Sequence, residues 1–165
     1  MNGEVTWRKG ALTLPAGSFV DKPIAAGPWG EVNLGLEFAD LAEGDQSVIA
    51  LELHFQGASP CYVVLSRERK NGESTAMVRI LDTDRRAGTL RARMVRQASM
   101  RGDLMSGEWS ISYRHGLVKV RLPVGILLPG YIDNGSATLS KLRLKAERGS
   151  AQVSNCLLYT SDAAD

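Results

Sequence analysis

Apolar residues recur at every second position in run after run of this chain. Val32, Leu34, Leu36 and Phe38 share one parity, with Glu31, Asn33, Gly35 and Glu37 on the other. Ile49, Leu51, Leu53 and Phe55 alternate with Ala50, Glu52 and His54. Trp109, Ile111 and Tyr113 alternate with Glu108, Ser110, Ser112 and Arg114, and Val118, Val120 and Leu122 alternate with Lys119 and Arg121. Successive side chains of a strand point to opposite faces, so each run predicts a strand with one buried face. No window sustains a helical period; residues 85–100 come nearest, and Gly88 interrupts them.

Weaker runs predict further strands near residues 5–8, 11–14, 62–67, 76–81, 90–96, 125–128, 137–144 and 151–153. Turn signals separate the runs: Glu43-Gly44-Asp45, Lys70-Asn71-Gly72, Arg86-Ala87-Gly88, His115-Gly116, Pro129-Gly130, Asn134-Gly135 and Arg148-Gly149. Asn-Gly suits the positive φ angles of tight hairpins. Ala137 and Leu139 are odd, whereas Leu142 and Leu144 are even, so a bulge is expected within that strand. Many short strands with a turn every eight to twelve residues describe an all-β sandwich or barrel.

The chain has the size of one ordinary domain, 165 residues, and is 44% hydrophobic. A net charge of +2 is too small to argue for nucleic acid. No stretch is long and apolar enough to span a membrane as a helix, and no signal peptide precedes the first strand. Cys61, in the apolar run Cys61-Tyr62-Val63-Val64-Leu65, reads as a small buried hydrophobe rather than a catalytic thiol.

Charge is segregated along the chain. Residues 23–66 contain no Lys or Arg and six acids: Glu31, Glu37, Asp40, Glu43, Asp45 and Glu52. Residues 79–101 contain seven arginines: 79, 85, 86, 91, 93, 96 and 101. Arg91 and Arg93 share a strand face about 6.6–6.8 Å apart, and Arg79 is a third candidate across a hairpin. Guanidinium forks suit carboxylates, sulfates and phosphates, so these arginines are the candidate ligand contacts, for an anionic glycan or an acidic protein surface. The competing expectation is that acids such as Glu31, Glu37 or Glu52 occupy them from a neighbouring strand. Trp29, in Gly27-Pro28-Trp29-Gly30, is either a strand-start anchor or a ring for stacking on a sugar.

Signatures of catalysis are weak. Paired carboxylates two apart on a strand would suit a glycosidase, but Asp82-Thr83-Asp84 and Glu37-Phe38-Ala39-Asp40 read as solvated turn carboxylates. His54 and His115 lie too far apart to form a metal signature, and Asp133-Asn134 reads as a hairpin turn before it reads as a calcium ligand. Arg101-Gly102-Asp103 is a common tripeptide with a small chance of being an adhesion motif. No catalytic residue, metal site or cofactor is expected.

Residues 109–120, W-S-I-S-Y-R-H-G-L-V-K-V, look like the strand-turn-strand of concanavalin A-like jelly rolls. Residues 130–153 resemble their closing strands, and V-T-W-R-K-G-A-L-T-L, residues 5–14, is similar to their first pair. The resemblance implies a jelly-roll-like antiparallel β-sandwich of concanavalin A-like or laminin-G-like type, acting as a non-catalytic binding module, with weak carbohydrate binding, in a bacterial multi-domain protein. A purely structural domain and a glycosidase- or lyase-type enzyme are the alternatives. The last ten residues, C-L-L-Y-T-S-D-A-A-D, resemble a transposon-end sequencing adapter read through in one frame. On that reading residues 1–155 form the single domain, downstream domains are missing, and the tail from Cys156 packs poorly.

Overall fold

A computed structural model of the chain describes residues 3–4, 12–27, 29–84, 91–133 and 137–160. For residues 3–4, 24–27, 84, 91 and 155–160 it describes the backbone. Two sheets stack face to face. Numbered in chain order, the seven-stranded sheet runs β1 (Gly3–Glu4), β3 (Ser18–Gly27), β12 (Thr138–Arg148), β5 (Gln46–Gln56), β6 (Ala58–Lys70), β7 (Glu73–Asp84), β8 (Arg91–Arg101). The six-stranded sheet runs β11 (Leu127–Tyr131), β10 (Leu117–Arg121), β9 (Gly107–Arg114), β4 (Trp29–Glu37), β13 (Ala151–Thr160), β2 (Leu12–Leu14). Pairing is antiparallel except for the short β1–β3 contact. A 3-10 turn, Gly102–Leu104, leads from β8 towards β9. The molecule is an all-β, jelly-roll-like antiparallel sandwich.

The alternating runs supply the core. Ile49, Leu51, Leu53 and Phe55 of β5 face inward beside Cys61, Val63 and Leu65 of β6 and Val78 and Ile80 of β7. Across from them stand Val32, Leu34 and Leu36 of β4 and the β9–β10 hairpin, with Trp109, Ile111, Tyr113, Val118 and Val120. The Phe55 and Tyr113 rings meet between the sheets at 4.8 Å, tilted by 53°. Each large polar-tipped ring has an outlet for its donor, as burial requires. Trp109 Nε1 donates to the Met105 carbonyl at 2.9 Å, and the Tyr113 hydroxyl donates to the Ala137 carbonyl at 2.7 Å. Cys61 is fully enclosed, and burial pushes its thiol far above the ordinary range. It packs as a small hydrophobe.

Turn chemistry follows the expected residues. Asn71 and Gly72 both have positive φ, as do His115 and Gly116, which is the geometry of the tightest hairpins. Glu43 reinforces the first of these turns by accepting from the backbone N–H groups of Asn71 and Gly72. The parity switch in β12 is a bulge between Leu139 and Lys141. The expected turns at residues 86–88 and 134–135, and the strand at 5–8, lie outside the described residues.

Two features depart from the sequence reading. β3 was not expected, because its run S-F-V-D-K-P-I-A-A-G has no alternation and holds Pro23. Pro23 pairs with Lys141, beside the β12 bulge, where a missing backbone donor is tolerated. Pro129-Gly130 lies inside β11 rather than in a turn. β11 is an edge strand, which accepts proline, and Gly130 is packed so closely that a Cβ would stand 2.9 Å from Val95 Cγ1. Beyond a register shift between Ser154 and Leu157, β13 continues to Thr160 along Gly30–Asn33 of β4.

Candidate functional site

The outward face of the seven-stranded sheet carries an open groove of about 1220 Å³. Its floor follows directly from the strand register. One transverse row is Gln46, Glu68, Thr75 and Arg101, taken from β5, β6, β7 and β8 in turn. The next is Val48, Ser66, Met77 and Ser99, and the one after it is Ala50, Val64, Arg79 and Gln97. Neighbours within a row stand about 4.8 Å apart, and successive rows about 6.6–6.8 Å apart. The face therefore offers hydroxyls and amides around an apolar strip of Val48 and Met77, with arginines on two rows and the carboxylates of Glu68 and Glu73 towards the Arg101 end.

Only one expected arginine belongs to this groove. Arg79 lines it, with Nε donating to Met77 Sδ at 3.0 Å and no carboxylate partner among the described residues. Arg93 lies on the other face. From Thr75↔Arg101 to Ile80↔Arg96 the ladder is regular, and continued it would set Arg93 opposite Thr83, on the face of Arg79. A bulge between Ile80 and Leu81 shifts the register, so that Arg93 opposes Asp82 instead. One extra residue moves every later side chain to the opposite face. Arg91 follows the same shifted register, opposite Asp84; its side chain lies outside the described residues.

Asp82 corrects the expectation of a solvated turn carboxylate. It is 2% exposed and accepts from the backbone N–H of Thr83 (2.8 Å), the backbone N–H of Asp133 (2.7 Å) and Arg93 Nη2 (3.1 Å). This buried carboxylate ties β7, β8 and the segment after β11 together. Among the described residues, no acid of residues 31–52 pairs with Arg79 or Arg93. Glu52 contacts His54 Nε2 at 2.9 Å, and Glu31 accepts from the Ser110 hydroxyl at 2.9 Å.

A second polar cluster crosses the middle of the same outward face. Asp21 accepts two hydrogen bonds from Arg143, at 2.7 and 3.0 Å, and lies 3.6 Å from Lys141 Nζ. The hydrogen bonds from Arg143 hold its carboxyl below the ordinary carboxylate range, against the opposing effect of burial. Arg143 also covers the Phe19 ring at 4.1 Å. Tyr62 stands opposite Glu52, and burial, followed by the charge of Glu52, pushes its phenol up. Lys141 and Arg143, which stand opposite His54 and Glu52 in the register, both engage Asp21.

At the rim, Arg101 Nη2 donates to Asp103 Oδ2 at 2.9 Å, so the Arg-Gly-Asp tripeptide closes on itself. Trp29, the fourth candidate, begins β4 and is half-buried on the outward face of the other sheet, opposite Arg114. It is no neighbour of Arg79. Among the described residues no group of three or more His, Cys, Asp or Glu side chains is placed to hold a metal ion, and no helix is long and apolar enough to cross a membrane.

With this geometry in hand, comparison with known proteins defines the class of fold. The chain is similar in structure to the CBM2 module of the evolved Dit of Lactobacillus casei BL23 phage J-1, with a TM-score of 0.57 and 11% identity over 94% of this chain and 80% of that one. It is also similar to LamAcat from Zobellia galactanivorans, with a TM-score of 0.51 and 10% identity over 82% of this chain and 66% of that one. No protein-family model matches the sequence, and neither does any curated protein. At these identities the likeness establishes a shared sandwich fold, and function has to be argued from the site.

Proposed function

We propose that the protein is a non-catalytic glycan-binding module whose site is the groove on the outward face of the seven-stranded sheet. The observation that carries this reading is Arg79, a guanidinium without a carboxylate partner among the described residues, in a groove of about 1220 Å³ lined by Ser66, Thr75 and Ser99. Ligand sites are concave, with an apolar floor and a few convergent polar groups. Hydroxyls and Gln46 suit sugar hydroxyls, and Arg79 suits a uronic carboxylate or a sulfate. Likeness to a CBM2 module agrees with the reading without adding residues to it.

Affinity electrophoresis in gels containing alginate tests the reading. Retardation of the wild-type protein is expected, weakened by salt because exposed charges are screened over about 8–10 Å. Arg79→Ala should weaken retention about tenfold, the equivalent of about 1.4 kcal/mol. Absence of retardation, or equal retardation of Arg79→Ala, would contradict it.

A further inference from the structure

We propose that the outward face of the six-stranded sheet is a second binding surface for an anionic polysaccharide, built on two aromatic rings and three cations and independent of the groove. The register sets Trp29 of β4, Arg114 of β9, Leu117 of β10 and Tyr131 of β11 in one transverse row. Their chain neighbours Gly30, Tyr113, Val118 and Gly130 are all buried, so the row itself faces outward. Tyr131 is 71% exposed. Three strand spacings place the two aromatic positions about 14 Å apart, with the exposed Arg114 between them. Further along β10, Lys119 and Arg121 point the same way and are exposed. None of these three cations has a side-chain partner among the described residues.

Buried or paired aromatics and cations need no ligand to explain them. An exposed tyrosine in line with a half-buried tryptophan, beside three unpaired cations, is a different arrangement. Aromatic faces cover the apolar CH faces of sugar rings, while guanidinium and ammonium groups take carboxylates or sulfates at the ring edge. The charge layout selects among polymers. Cations follow β10 and the Arg114 end of β9, but the β4 side of the face carries Glu31, Asn33 and Glu37, with Glu108 at the far end of β9. A chain with a phosphate on every unit would be repelled on that side, whereas a uronic or sulfated glycan can present neutral edges there. A protein partner is disfavoured by Lys119 and by Glu31 and Glu37 on the same face, since interfaces are depleted of Lys and Glu.

The test measures retention of the full chain in alginate gels, with thermal melts alongside, for Tyr131→Ala, Arg114→Ala and the double variant Lys119→Ala/Arg121→Ala. Because all four side chains are exposed or half-exposed, melting temperatures should stay within a few degrees of wild type. Retention should weaken about tenfold in Tyr131→Ala and in the double variant. Combining Tyr131→Ala with Arg79→Ala should multiply the two losses, because a long alginate chain engages both faces at once. Unchanged retention in Tyr131→Ala and in the double variant would overturn the second surface, while leaving the groove to be judged by Arg79→Ala alone. Tighter binding of single-stranded oligothymidylate than of alginate at equal salt would overturn the glycan assignment. A concentration-dependent dimer that Tyr131→Ala dissolves would overturn it in favour of a protein contact.

Discussion

Two arginines from one stretch of sequence, Arg79 and Arg93, end up in opposite circumstances. Arg79 lies on the outward face among hydroxyls and a methionine, open to the groove. Arg93 turns to the inward side, where it closes on Asp82, a carboxylate 2% exposed. Composition, charge and parity are the same for both. A single bulge between Ile80 and Leu81 makes the difference. On the proposed function one arginine meets a ligand, while the other completes a buried polar cluster.

The sharpest way to break this contrast is to remove the buried carboxylate. Asp82→Ala leaves Arg93 and the N–H groups of Thr83 and Asp133 without their acceptor. A loss of about 2–4 kcal/mol is expected, or a melting temperature lowered by about 5–15 °C in a domain of this size. A melt unchanged within 2 °C, about half a kcal/mol, would show that the cluster is not structural.

Arg93→Ala should be milder. Asp82 keeps its two backbone donors, and the arginine side chain is 44% exposed, so about 1 kcal/mol is expected. Glycan retention should stay at the wild-type level. If retention falls with Arg93 and not with Arg79, the two roles are exchanged and the groove is the wrong surface.

Smaller still is the effect at Asp21. Its folded-state pKa is depressed by hydrogen bonds from Arg143. A depressed carboxylate adds stability above its unfolded value, near 3.8, and that stability is lost as the pH falls through the folded value. Wild type should therefore lose more stability below about pH 4 than Asp21→Asn does, by chemical denaturation at each pH. Parallel acid profiles for the two proteins would show that the pair with Arg143 contributes nothing.

Much of the sandwich could be read from the sequence, and the reasons are physical. β4, β5, β9 and β10 each bury one face and leave the other to solvent, so period two is written into their residues. The bulge in β12 left a parity switch that could be read. β3 and β11 left no such trace: a proline sits in each, and β11 is a sheet edge. The candidate site was less legible. Arg79 could be named, but its separation from Arg93 depends on a bulge that no residue announces. Asp82 looked like a turn residue, because only the backbone N–H of Asp133, 51 residues away, completes its shell. Tyr131 was hidden behind the Pro129-Gly130 turn signal. The strand parity of β10, extended across the hairpin to a partner, is the signal that could have found it.

The most direct measurement sets alginate retention and thermal melting side by side for wild type, Arg79→Ala and Arg93→Ala. Arg79→Ala should lose about tenfold in retention with a melting temperature within 2 °C of wild type, and Arg93→Ala should keep its retention and melt about 2–4 °C lower. Equal retention in all three proteins, or a loss confined to Arg93→Ala, would contradict the assignment of the groove as the glycan site.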